Sequence, residues 1–307
     1  MKYEKISYFV SKWGITERRI RVLCTEGRIE GAVKVGKTWL IPKDASKPRD
    51  KRYKNINDLF FDDINTDAID NKKAIIDESR PFSQTMIRQL NDKLLVEWTY
   101  HSNAIEGNTL TMSETKVVLE NGITIKGKPL KDHLEAINHK EAIEYVEELV
   151  KKDTKLTEYD IKSIHYLILK EIDNLNAGKY RAQNVLISGS KHIPPSYINV
   201  PLEMQMLMEQ YEDWAVYHPL IRACLLHGEF VKIHPFVDGN GRTARLLLNF
   251  ELIKNGYPPV IIKNEDRADY YDALEMASTT KNYTLFINLV LNLVNEAADS
   301  YLLLLGK

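Results

Sequence analysis

One twelve-residue stretch constrains this chain more than any other feature: His234-Pro-Phe-Val-Asp-Gly-Asn-Gly-Arg-Thr-Ala-Arg245. It reads as a loop running into the start of a helix, and each residue suits the handling of a nucleoside triphosphate. The His234 imidazole titrates near neutrality, so it can take a proton from an attacking hydroxyl. Asp238 is a hard oxygen ligand suited to Mg²⁺ or Mn²⁺ shared with phosphate. Gly239, Asn240 and Gly241 let backbone N–H groups turn inward as an anion-binding nest, to which the helix adds its positive end. Arg242 and Arg245, three apart, share a helix face and can each fork onto a phosphate. A phosphate-free turn would use the glycines for geometry and leave the base, the acid and both arginines unexplained.

The stretch resembles the Fic family signature, His-Pro-Phe-x-Asp/Glu-Gly-Asn-Gly-Arg-x-x-Arg, without departure. Residues 224–233 before it and 246–249 after it look like the two family helices around the loop. The resemblance implies a protein adenylyltransferase that moves AMP from ATP to a Ser, Thr or Tyr hydroxyl. It implies His234 as the catalytic base, Asp238 as the metal ligand, and Gly239, Asn240, Gly241, Arg242 and Arg245 as the ATP-binding set.

Upstream, His101-Ser-Asn-Ala-Ile-Glu-Gly-Asn108 resembles the family's inhibitory motif, Ser/Thr-x-x-x-Glu-Gly/Asn, at the end of a helix. On that reading Glu106 pairs with Arg245, the guanidinium otherwise needed by the γ-phosphate. A carboxylate and a phosphate then compete for one planar fork. Ser102, a helical turn earlier, would hold the helix end in register, with Gly107 and Asn108 completing the motif. An ordinary helix C-terminus stopped by Gly107, with Glu106 solvated, is the plainer alternative.

Residues 178–195 lie between these motifs. Val185-Leu-Ile187 has strand composition, Ser188-Gly-Ser190 is turn-forming, and Pro194-Pro195 forbids a helix. The segment reads as a short β-hairpin similar to the Fic flap, or otherwise as a surface loop. The resemblance places Ile187, Ser188, Gly189 and Ser190 over the nucleotide and lets the flap hold a target segment as an added strand. After the core, Tyr270 and Tyr271 look like family residues against adenine and ribose, though core packing would explain Tyr270 equally well. Close relatives carry an asparagine seven residues beyond the second tyrosine; here it is Ser278, a departure in the base contact.

Charge separates the remainder into two parts. Residues 1–54 hold 15 Lys+Arg against 6 Asp+Glu, a balance of +9, and the rest balances at −10, within a net −1. In the basic part, residues 6–10 and Trp13-Gly14 read as a short helix and a glycine turn. Thr16 caps a second helix over 17–26, and residues 32–41 give two strands around a tight turn. This order resembles the winged helix-turn-helix of excisionase and MerR-type proteins. It implies duplex DNA as a partner, with Arg18, Arg19 and Arg21 in the major groove and Lys34 and Lys37 on phosphates. A solvated protein-binding module is the alternative.

Residues 47–75 read as a charged, proline-bearing linker whose acidic part, 58–70, crosses the surface in short turns. From residue 81 the pattern is helical almost throughout: one helix leading into the inhibitory motif, a capping box at Thr111-Met-Ser-Glu114, helices over 133–151, 157–171 and 200–217, and a long one over 283–305. The expected fold is mainly α: a winged domain over 1–46, then a Fic (Fido) helical bundle over 76–307 with its core at about 155–294 and a small β-hairpin flap. Cys24 and Cys224 fall in different domains and read as buried thiols of a reducing cytosol. No segment is long and apolar enough to span a membrane, so a cytoplasmic location is expected.

Three functions fit. The first is an autoinhibited adenylyltransferase acting on a target protein and on itself, with AMP removal as a second activity if Glu106 aligns a water. The second is a transcription regulator whose Fic domain senses nucleotide. The third, a Doc-like kinase, is disfavoured by Gly241, where Doc-type loops carry a lysine. A homodimer is compatible with each.

Overall fold

The computed structural model describes residues 2–13, 16–36, 38–46, 59–62 and 64–307. Two compact units emerge, residues 1–55 and 56–307. In the first, β1 (Tyr3–Lys5) leads into α1 (Ile6–Trp13) and α2 (Glu17–Thr25), followed by β2 (Val33–Val35) and β3 (Thr38–Pro42). The strands form one antiparallel sheet in the order β1-β3-β2, with Glu4 opposite Ile41 and Lys34 opposite Trp39. β1 escapes a pattern reading because three residues are too few to show alternation. Phe9, Ile20, Leu23 and Ile41 close a small apolar core of this unit's own. Arg18 and Arg21 are exposed on α2, and Lys34 is exposed on β2. Lys37 and the Arg19 side chain lie outside the described residues, as do Gly14 and residues 47–58 of the expected linker.

The acidic stretch corrects one expectation. Residues 67–70 are not surface turns but the start of a helix, α3 (Asp67–Glu78), so the last part of the supposed linker, 67–75, belongs to the second unit. Asp67 and Asp70 lie in its first turn, where negative charge favours a helix N-terminus. Ile69 and Ile76, two turns apart, are buried, and Lys72 reaches Asp299 on the last helix.

The other helices follow their sequence signals closely. α4 (Gln84–Ile105) is capped by Ser83, which accepts from Met86 N. α5 (Met112–Asn121) opens on the Thr111/Glu114 capping box and stops at Gly122, whose φ of +64° suits glycine. α6 (Leu130–Lys151) precedes α7 (Glu158–Leu169), which opens on a second box, Thr157/Asp160. Then come α8 (Val200–Asp213), α9 (Pro219–Ile233), α10 (Asn240–Lys254), α11 (Arg267–Thr280) and α12 (Thr284–Leu304).

The α9–α10 pair is the centre of the bundle, with α4, α6 and α7 against α10 and α8, α11 and α12 against α9. Almost every residue of α10 from Arg242 to Leu252 is buried, as expected of a core helix packed all round. Even Glu251 is fully buried; it is held by Arg222, the Tyr211 hydroxyl and Asn255. The central stretch therefore sits at the N-terminal end of a helix packed on all sides.

The β-hairpin expected within 178–195 keeps its turn but not its strands. Ser190 N donates to Ile187 O at 3.2 Å and Gly189 takes a φ of +79°, yet the arms form no ladder. Pro194 and Pro195 lack the N–H groups a ladder needs; Arg181 donates to Gln183 O and Pro195 O, and His192 Nε2 lies 2.8 Å from Lys232 O.

Candidate active site

The site is built where α9 ends and α10 begins. His234, just past the last turn of α9, adopts the left-handed conformation (φ 50°, ψ 58°), because Pro235 excludes a further helical turn. Its ring is half-buried, and Nδ1 lies 3.3 Å from Val231 O. With Nδ1–H donating there, Nε2 keeps its lone pair. Burial lowers the His234 pKa below the ordinary imidazole value and outweighs the opposing Val231 carbonyl. The ring is thus neutral near pH 7, as a base must be.

The loop then fixes itself. The Asn240 amide accepts from Phe236 N at 3.0 Å and donates to Phe236 O at 2.9 Å. Its side chain is therefore spent on shaping the loop, and its backbone N–H, the group expected to face an anion, opens the first turn of α10. Gly239, with φ of +77°, forms the N-cap of α10. Asp238 accepts from Gly239 N at 2.6 Å and from Arg242 at 3.3 Å, and its side chain is 51% exposed. Burial raises the Asp238 pKa, but Arg242, the Gly239 N–H and Lys131 together hold it below the ordinary carboxylate value. It is an ionised carboxylate beside the N–H groups that open α10.

Glu106 lies against that turn. It follows the last residue of α4, and its Oε1 accepts from Arg245 Nη2 at 2.8 Å. Arg245 also donates to Ser102 Oγ (3.0 Å) and Ser102 O (2.7 Å), so Ser102 grips the arginine rather than the end of its own helix. A methyl group placed on Gly241 would come within 2.3 Å of Glu106 Oε1, so the carboxylate lies directly over the first turn of α10. Arg245 is 3% exposed, and its Nη1 is buried with no hydrogen-bond partner among the described residues. The Tyr270 hydroxyl also interacts with this guanidinium, so Nη1 is the one nitrogen of Arg245 without a bond partner among the described residues.

Arg242 is committed differently. It is 1% exposed and donates to Glu135 of α6 at 2.9 Å as well as to Asp238. Glu135 in turn accepts from Asn108 at 2.9 Å, which ties the residue after Gly107 to α6. Glu135 carries no sequence signal; it is one of many acidic residues on an amphipathic helix. Arg181 was likewise missed. Buried, it donates to His234 O (2.8 Å), Gln183 O (3.0 Å) and Pro195 O (2.5 Å), clamping the catalytic loop to both arms of the flap.

The flap turn is pinned to α11. Ser190 Oγ and Lys191 N both donate to Glu275. Tyr271, Glu275 and Ser278 lie four and three residues apart on one face of α11, so Ile187, Ser188, Gly189 and Ser190 share a neighbourhood with Tyr271 and Ser278. Tyr271 is 40% exposed, beneath the Arg267 guanidinium, and Ser278 is half-buried. Tyr270 belongs to the core: it is 1% exposed, and its hydroxyl meets His227 Nε2 at 3.0 Å.

Residues 155–252 match the model of the Fic/DOC family. The crystal structure of a Fic domain-containing signalling protein from Bacteroides thetaiotaomicron aligns with TM-score 0.72 and 30% identity, over 77% of this chain and 96% of that one. The chain belongs to the Fic family. Fic-1 from C. elegans also aligns, with TM-score 0.67 and 30% identity, over 76% of this chain and 71% of that one. Among curated Fic proteins, the protein adenylyltransferase Fic of Nematostella vectensis is 38% identical over 77% of this chain and 55% of its own length. That of Drosophila melanogaster is 32% identical over 79% of this chain and 49% of its own length. The chain spans about half the length of the curated relatives it matches.

Proposed function

We propose that this chain is an autoinhibited protein adenylyltransferase. The Glu106–Arg245 pair over Gly241 carries the reading: a carboxylate sits on the anion nest, bonded to an arginine that has a donor to spare. Named adenylyltransferase relatives support the reaction class. In the reaction, a Ser, Thr or Tyr hydroxyl oxygen attacks the α-phosphorus of ATP. An O–P bond forms, the bond from that phosphorus to the bridging oxygen breaks, pyrophosphate leaves, and the hydroxyl proton passes to His234 Nε2. Arg242, Arg245 and the N–H groups of α10 would neutralise the triphosphate, while the flap would register the target segment.

A divalent cation fits Asp238, which is ionised, half-exposed and adjacent to the nest. No three His, Cys, Asp or Glu side chains converge as a cage among the described residues. Such a donor set suits Mg²⁺ or Mn²⁺ that takes its remaining ligands from phosphate and water. When bound, it would offset phosphate charge.

Inhibition follows from competition. While Glu106 holds Arg245, the γ-phosphate lacks its fork, and ATP is not presented in line to the attacking hydroxyl. Glu106 would also be placed to align a water for AMP removal. Incubation with ATP labelled at the α- or the γ-phosphorus tests the whole reading. Glu106→Gly should transfer α-label to protein, itself included, faster than wild type by about tenfold per 1.4 kcal/mol of pairing relieved. Arg245→Ala and His234→Ala should abolish transfer in either background. Transfer of γ-label instead would make the chain a kinase and sink the proposal.

A second reading, DNA binding by the basic N-terminal unit, draws on its +9 balance and the exposed Arg18, Arg21 and Lys34. Arg21 is partly offset by Glu17 at 3.1 Å. Duplex binding that weakens steeply with salt would favour this reading. Salt-independent or absent binding would leave a protein-docking role.

A further inference from the structure

We propose that His165 is a positioning residue for the phosphate-binding loop, joining that loop to the base of the flap through the two nitrogens of one ring. This rests on the adenylyltransferase reading and adds a residue that the signature motif does not contain. His165 lies on α7, and its side chain is fully buried. Nδ1 is 2.9 Å from Gly178 N, which can only donate, so Nδ1 must accept. Nε2 therefore carries the proton, and it points at Asp238 O, 2.9 Å away. The tautomer is set by the partners rather than assumed.

The ring also sets where the loop lies. It stacks face to face on Phe236, with centroids 3.6 Å apart and planes within 2°. On its edge sits Gly239: a methyl group added there would meet His165 at 3.3 Å, so the turn that starts α10 rests against the imidazole. Three successive features of the loop, the Phe236 ring, the Asp238 carbonyl and Gly239, are thus referenced to one side chain. Gly178 is the first residue of the segment that leads through Arg181 into the flap.

No other side chain is bonded to the Asp238 carbonyl among the described residues. Loss of that bond would free the Asp238 peptide to rotate, and with it the carboxylate offered to the cation. Partners one bond removed from a metal ligand commonly matter about 10–100-fold for metal affinity or activity. A purely structural histidine would instead lower stability and leave the metal dependence of the folded protein unchanged.

Two amide variants separate the nitrogens. His165→Asn keeps an acceptor near Gly178 N but is too short to reach Asp238. His165→Gln extends far enough to donate to the Asp238 carbonyl. Both are made in the Glu106→Gly background, and binding of ATP is measured calorimetrically across a Mg²⁺ titration, alongside AMP transfer. We expect His165→Asn to raise the Mg²⁺ needed for half-maximal ATP binding by about 10–100-fold. His165→Gln should recover most of that loss, and the acid limb of the pH–rate profile, set by His234, should stay in place. Equal Mg²⁺ dependence in all three proteins overturns the proposal, as does a lowered melting temperature with unchanged Mg²⁺ dependence. If the amide variants do not fold, His165→Phe keeps the stack on Phe236 without either bond and must show the His165→Asn shift. The binding arm decides the role of His165 even if no AMP is transferred, an outcome that would count against the adenylyltransferase reading alone.

Discussion

The catalytic loop and the flap lie side by side, and neither has regular structure, but they are held in opposite ways. The loop from His234 to Gly241 has a dense set of bonds within itself, to which His165 and Arg181 add outside anchors: Asn240 bonds both backbone groups of Phe236, Asp238 caps Gly239 N, and Thr243 Oγ1 donates to Gly239 O. The flap is held from outside. Its arms hang from Arg181, its turn from Glu275 of α11, and His192 Nε2 lies 2.8 Å from the Lys232 carbonyl at the end of α9. On the proposed function, a densely bonded loop beside a cover anchored by a few distant side chains would let a protein segment enter and leave.

The largest expected effect comes from the residue that belongs to both regions. Arg181→Met removes three hydrogen bonds from a buried guanidinium and strands the His234 carbonyl. We expect a loss of about 4 kcal/mol in stability, from the usual cost of removing charged hydrogen bonds, with AMP transfer lost as well. Urea unfolding gives the first number, and α-labelled ATP gives the second. A change below about 1 kcal/mol would mean that the loop and flap are not coupled through Arg181.

Asn240→Ala sharpens the contrast by striking the loop alone. Two buried backbone groups of Phe236 lose their partners, a cost of about 3 kcal/mol. Protection of the Phe236 amide from hydrogen exchange should fall while that of Ser190 and Lys191 stays. Equal loss in both segments would contradict a loop held mainly from within.

The difference in anchoring also explains what the sequence revealed. The loop could be read because its fold is written within about one turn of itself: glycines at the tight points, an amide to cross-brace, a proline to end α9. The capping boxes at Thr111 and Thr157 were legible for the same reason. The flap's strands were expected from composition and did not form, because its partners lie far along the chain, Glu275 being 85 residues from Ser190. Glu135, His165 and Arg181 were missed on the same ground: a single charged or aromatic residue on an amphipathic helix or in a loop names no partner. The first turn of α3 was read as surface turns, and most of the rest as linker, because its acidic residues hid the spacing of Ile69 and Ile76.

A third effect tests the frame behind the loop. His227 on α9 is fully buried, bonded to Tyr270, and burial lowers its pKa to about 3. A histidine with a depressed folded-state pKa contributes stability that is complete above the unfolded value of about 6.5 and is lost as pH falls below it. Down to pH 5, still above the folded value, the loss is about 2 kcal/mol at 1.36 kcal/mol per unit. Unfolding in urea at pH 7.5 and pH 5 should show it, and His227→Gln should flatten the dependence by about that amount. An unchanged slope in the variant would place the acid sensitivity elsewhere.

Glu275 should give the smallest change in stability and the most selective change in function. Its carboxylate accepts from Ser190 Oγ and Lys191 N, and these two bonds hold its pKa below the ordinary carboxylate value. The bonds lie near the surface, so Glu275→Ala should cost less than about 1 kcal/mol, within the range for solvated contacts. The flap turn would then lose its tie to α11 while Arg181 still clamps the arms. In the Glu106→Gly background, KM for a protein target should rise, with the turnover number little changed, because the cover is looser but His234 and the phosphate nest are untouched. A peptide that depends only on the loop for reaction should feel the change less than a folded target that must register against the flap. If turnover falls while KM stays constant, the turn contributes to the reacting geometry itself, and the division between a densely bonded loop and an anchored cover does not hold.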